Sequence, residues 1–189
     1  MTMLHSLSAL DRIAFQNKTE RGLAVADVLE RVVRFVSEAP TEDYHFLVGT
    51  DSQVHRGHTK FATGIVVHRL GIGVWACHRQ FAVPRELTTI REKLMLETTL
   101  SQRVACQFDL ALLRDCLKRH PNASAEPTLR GYIDIDAGTV SHVNRTAEYV
   151  REMADRVEAM EHYAPRVKPD ASAASAYANR YTKRPFAAF

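Results

Sequence analysis

A mixed α/β sheet of five strands with flanking helices is the fold class this sequence predicts, and three observations carry it. Three apolar runs at residues 44–49, 61–70 and 74–83 follow one another with short links, the pattern of antiparallel hairpins. Two further apolar runs, 129–135 and 166–168, are each preceded and followed by helical periodicity. The resulting order, β-β-β-α-β-α-β-α after a first helix, joins a meander to two α-β units and builds a mixed sheet covered by helices.

Each element has its own signal. Residues 1–18 lack periodicity and read as an arm. Leu23, Val25, Val28, Leu29, Val32, Val33 and Val36 repeat at helical spacing over 19–38, and Ala39-Pro40 stops that helix because proline restricts the residue before it. Tyr44-His45-Phe46-Leu47-Val48-Gly49 is the first strand. His55-Arg56-Gly57-His58 leads to the second, and Gly71-Ile72-Gly73 turns into the third, which Pro84 ends. A single long helix is expected over 87–120, then a surface loop over 121–127. The fourth strand is followed by a helix opening at Ser141 or His142 and ending near His162. Arg166-Val167-Lys168 forms a short fifth strand, and an Ala- and Ser-rich helix runs from Asp170 to about Asn179. Strands one, four and five lie parallel in the centre, so that Asp51 and Asp134 stand side by side at the strand ends, where open α/β sheets place ligands.

The chain's 189 residues suit one domain, divided here into an N-terminal arm and helix (1–43), a main domain (44–183) and a basic, then aromatic, tail (184–189). With 46% hydrophobic and 25% charged residues it has the composition of a globular protein rather than a disordered one. The formal charge of +3 permits nucleic-acid binding without demanding it. Three cysteines without CxxC spacing fit a reducing cytoplasm, and no apolar run reaches membrane-span length, so no membrane partner is expected. Zinc is disfavoured: Cys77 and His78 alternate to opposite faces of a strand, and His55 and His58 read as loop residues.

The chemistry lies in carboxylates collected from separate elements, since Mg²⁺ and Mn²⁺ prefer oxygen ligands. Asp51 ends the first strand. Glu97 falls in the stripe of Ile90, Leu94, Ser101, Val104 and Phe108, where a carboxylate facing a sheet costs free energy unless it is paired or bound to a metal. Glu92 points away from that stripe. Asp134 and Asp136 share one strand face and raise each other's pKa unless a cation is present; Asp134 is the favoured ligand and Asp136 its helper. Asp170 suits a helix N-terminus as a cap, but the small residues after it let that helix approach the sheet and bring the carboxylate inward.

Asp on the first strand, Glu on the helix after the hairpins, Asp on the fourth strand and Asp at a terminal helix resembles the ribonuclease H superfamily. More narrowly, Val48-Gly49-Thr50-Asp51-Ser52-Gln53, Asp134-Ile135 and Lys168-Pro169-Asp170-Ala171 with Ala173-Ala174-Ser175 resemble the YkuK-like family of ribonuclease H-like proteins, from about Tyr44 to Lys183. The resemblance implies a ribonuclease H-like fold and a two-metal nuclease site, with Asp51, Glu97, Asp134 and Asp170 holding Mg²⁺ or Mn²⁺. One departure is Asn179, where relatives commonly carry Asp.

The function expected is therefore metal-dependent hydrolysis of phosphodiester bonds in RNA, an RNA/DNA hybrid or structured DNA. Lys168, Arg180 and Lys183, with Lys60 and Arg79, are candidate phosphate contacts. The alternative is a non-catalytic nucleic-acid or protein-binding module on the same fold. An actin-like or sugar-kinase-like phosphotransferase ranks third, because eight glycines form no GxGxxG or Walker A pattern. His142 is a candidate proton shuttle, and the tail Lys183-Arg184-Pro185-Phe186 a candidate docking peptide for a protein partner.

Overall fold

A computed structural model of the chain describes residues 13–118, 128–138, 147–171 and 173–183. The arm at 1–12, the loop at 121–127, His142 with the expected start of its helix, and the tail at 184–189 lie outside the described residues. The element order is α1 (Val25–Ser37), β1 (Tyr44–His55), β2 (His58–Arg69), β3 (Gly73–Val83), α2 (Ile90–Ala105), α3 (Leu110–Lys118), β4 (Leu129–Gly138), α4 (Ala147–Glu158), β5 (Tyr163–Lys168) and α5 (Ala173–Thr182). The five strands form one mixed sheet in the order β3-β2-β1-β4-β5. β1 pairs antiparallel with β2 and parallel with β4, and β4 pairs parallel with β5. This is the expected pairing of strands, except that β5, expected in the centre with β1 and β4, forms an edge because no further strand follows it among the described residues.

The strands alternate between two helical layers. Phe46, Val48, Ile65, Val67 and Ile133 enter the main core with α1 through Val28, Val32 and Val36, and with α2 through Leu94 and Val104. Leu47 and Val66 face the other way, toward Ala174 of α5. Full burial of each such aliphatic side chain stabilises the fold by about 1.5–3 kcal/mol.

Several boundaries differ from expectation for identifiable reasons. The helix expected over 87–120 is two helices. Phe108 turns into the core, and the Asp109 carboxylate caps α3 by accepting the amides of Ala111 (2.9 Å) and Leu112 (3.0 Å). The Tyr163 hydroxyl holds that corner through the carbonyls of Ala105 and Phe108. The first helix starts later than expected because Phe15 and Leu23 pair with each other, while Gln16 bridges His78 on the outer edge of β3. At the opposite edge, β5 carries Pro165. β1 runs to His55 and β4 to Gly138, so Asp51 and Asp136 lie within strands.

α5 sits unusually close to the sheet. A Cβ at Gly49 would lie 2.8 Å from the Ser175 amide nitrogen and 3.0 Å from the Ala174 methyl, and one at Gly64 would lie 3.0 Å from the Ala174 carbonyl oxygen. Gly49→Ala is therefore expected to lower stability by about 1–3 kcal/mol in urea unfolding, the usual range for overpacking. Gly73→Ala meets nothing within 4 Å and is expected to change stability by less than about 0.5 kcal/mol.

Candidate acidic cleft

The parallel register of β1 and β4 ends with Gly49 opposite Asp134. Continuing both strands by two residues brings Asp51 level with Asp136, not with Asp134 as the sequence suggested. Asp51 and Asp136 line one cleft of about 200 Å³ together with Glu97 and Lys93 of α2. Ser52, Ile90 and Leu94 complete its walls.

Each acid is held differently. Asp51 leans toward α5, where the buried Thr182 hydroxyl donates to its Oδ2. The same threonine's carbonyl oxygen lies 2.9 Å from His55 Nε2. Glu97 arrives from the opposite face of the sheet. The Ser52 hydroxyl donates to its Oε1 at 2.5 Å. The backbone beneath is set by a buried hydroxyl chain, Ser101 to Thr50 (2.8 Å) and Thr50 with Thr63 (2.9 Å), and Ser101 also donates to the Glu97 carbonyl oxygen. Asp136 carries the Lys168 ammonium on its Oδ1 at 2.5 Å.

Asp134 has another task. It is 2% exposed, and its Oδ2 accepts the Ala174 amide at 2.8 Å, one of the unpaired donors at the start of α5. Arg166 Nε stands 3.8 Å from its Oδ1, with the guanidinium 5.4 Å from the Tyr132 ring. The helix-start carboxylate foreseen at Asp170 is thus supplied by Asp134. Asp170 is exposed and outside the cleft; its carbonyl oxygen accepts from Arg166. Lys168 alone of the expected phosphate contacts touches a cleft carboxylate. Lys183 is exposed beyond α5, and Arg180 lines a separate groove. Lys60 and Arg79 are 5% and 1% exposed, and the Arg79 guanidinium lies 5.3 Å from the Phe15 ring, which removes both from the surface a backbone phosphate would meet. Asn179 is half-buried, its carbonyl oxygen accepting from Thr182.

The electrostatics follow from this placement. Burial pushes the Glu97 carboxyl up from 4.5 to about 8, opposed by the Ser52 hydrogen bond and reinforced by Asp51. Burial also raises Asp51, opposed by the Thr182 hydroxyl and reinforced by Asp136. Asp134 is raised by burial against the Ala174 amide and Arg166. Lys93 opposes the rise at both Asp51 and Glu97. Among the described residues no three His, Cys, Asp or Glu side chains converge closely enough to hold a metal ion as they stand. The expected loop histidines are a stacked pair, His55 on His58 at 5.1 Å. Sequence reasoning missed Ser52, Lys93 and Thr182. Lys93 had a signal, four residues before Glu97 on the same helical face. Thr182 had none, since its contact spans the whole domain.

Residues 27–183 match the ribonuclease H-like family, and the fold agrees with it. The chain belongs to that family, within its YkuK-like group. It is 36% identical over 176 residues to the uncharacterized protein YkuK of Bacillus subtilis (strain 168), covering 92% of this chain and 99% of that protein. No solved structure matches. Membership points to a nucleic-acid-related role. Among the described residues no helix is long and apolar enough to cross a membrane.

The raised Glu97 pKa fixes a sign for stability. Folded Glu97 keeps its proton to about pH 8 and an unfolded one only to about 4.5, so the folded state binds more protons between these values. Without divalent ions, stability should fall as pH rises through that window, and Glu97→Gln should flatten the slope. Thermal melts in a chelator at stepped pH read both.

Proposed function

We propose that the chain hydrolyses phosphodiester bonds of nucleic acid with Mg²⁺ or Mn²⁺ at the cleft of Asp51, Glu97 and Asp136. One observation carries this reading: a half-buried glutamate and two aspartates line one small cleft, a gathering of acids that cations relieve. The all-oxygen donor set fits a hard divalent ion, and the ammonium groups of Lys93 and Lys168 already lie among the carboxylates as local counter-charge. When bound, two such ions supply an activated water and stabilisation of the leaving oxygen.

The chain's own residues do the rest. Ser52 and Thr182 orient Glu97 and Asp51. Lys168 moves from Asp136 toward the incoming phosphate. Asp134 holds α5 against β1 rather than touching substrate. The two free cysteines among the described residues, Cys77 and Cys106, suit a cytoplasmic setting.

The expected result is Mn²⁺-dependent cleavage of at least one among an RNA/DNA hybrid, single-stranded RNA and branched DNA. Asp51→Asn, Glu97→Gln and Asp136→Asn should each lower turnover by more than about 100-fold, beyond the roughly 10- to 100-fold that loss of a supporting neighbour costs. Asp170→Asn should retain turnover; loss of turnover would restore Asp170 as a ligand, the role the family resemblance implied for it. The Lys168–Asp136 pair favours one competing reading, a binding module whose lysine permanently fills the cation position. Calorimetric titration with Mn²⁺ separates the two, since the nuclease binds one or two ions and the module none.

A further inference from the structure

α5 presents two faces. Ala174, Ala178 and Thr182 are buried against the sheet, while Ala173, Ala176, Tyr177 and Arg180 follow one another on the neighbouring face. That second face walls a groove of about 600 Å³. Val66, Val74 and Ala76 of β2 and β3 make its apolar floor, and the turn at Asn17, Lys18 and Thr19 makes its far rim. Lys18 and Arg180 are exposed on opposite sides, His68 lies between, and no carboxylate side chain among the described residues lines the groove.

We propose that this groove binds a single-stranded segment of nucleic acid on its way to the acidic cleft. The inference rests on the nucleic-acid role of the family and adds a substrate form and a second site. An apolar floor with cations on both rims matches the two parts of a single strand, unpaired bases and phosphates. A duplex shows its backbone and groove edges and would leave the floor uncovered. An acidic peptide would satisfy the rims without using the flat floor or the Tyr177 ring. The position is also apt. Val66 is level with Leu47 and Ala62 with Asp51, four residues along the strand, on the order of 13 Å. α5 continues from the groove to Thr182, which bonds Asp51.

The test is fluorescence anisotropy of a labelled twelve-residue oligodeoxythymidylate with the full chain in chelator, where no cleavage occurs. Saturable binding is expected. Ala176→Glu puts a carboxylate on an exposed helical position and should weaken binding about tenfold at unchanged melting temperature. Removing both Lys18 and Arg180 charges should reduce the salt slope by roughly 1.4. Wild-type affinity in Ala176→Glu, or equal displacement by polyglutamate, overturns the proposal. Asp51→Asn should bind the oligonucleotide like wild type. Binding without Mn²⁺-dependent cleavage of any substrate sinks the catalytic reading alone, whereas cleavage indifferent to Ala176→Glu sinks the groove alone.

Discussion

The seating of α5 on β1 and β2 is the constraint on which the rest depends. Gly49 and Gly64 leave out the side chains that would hold the helix off, and Asp134 accepts the Ala174 amide to fix its start. A buried carboxylate is costly unless its hydrogen bonds are met; the helix N-terminus meets one at Oδ2 with a donor that has no partner within the helix, and Arg166 stands 3.8 Å from Oδ1. With the start fixed, Thr182 arrives at Asp51 about two turns later. One aspartate is thus spent on architecture so that another can be oriented.

The cleft is built from two independent supports. Asp51 depends on α5, and Glu97 depends on α2 and the hydroxyl chain of Thr50, Thr63 and Ser101. The supports come from opposite faces of the sheet and meet where β1 outruns its parallel pairing with β4. Buried polar chains of this kind fix geometry when every member is satisfied. The result is a concentration of negative charge that the fold tolerates by protonating Glu97 and by drawing in Lys93 and Lys168.

Much of this was legible in the amino-acid order. Apolar runs and the short links between the first three strands were enough for the topology, and the family resemblance was carried by the residues around Asp51 and Lys168. What failed was arithmetic along the strands. Asp51 seemed to end β1 because Thr50, Ser52 and Gln53 are polar, but Thr50 and Ser52 are buried in hydroxyl contacts that a hydropathy pattern does not register. The true register then exchanged Asp134 for Asp136 at the cleft. The helix break at Phe108 was hidden because its apolar stripe continues through the turn. Glu97 was visible because helical periodicity is local; Thr182 was not, because its partner lies 131 positions away.

The two borders of the sheet bear on how the chain behaves in a crowded solution. An open strand border offers unpaired amides and carbonyls to any other extended chain. Here Pro165 supplies no amide on one side, and the segment at Phe15 and Gln16 covers part of β3 on the other. That second cover is a single bridge, and beyond it Val74 stands 60% exposed next to Ile72 at 63%. Among the described residues, strand addition meets one proline along β5 and a short piece of chain along β3, so the segment at 13–23 shields a sheet edge as well as forming the rim of a groove.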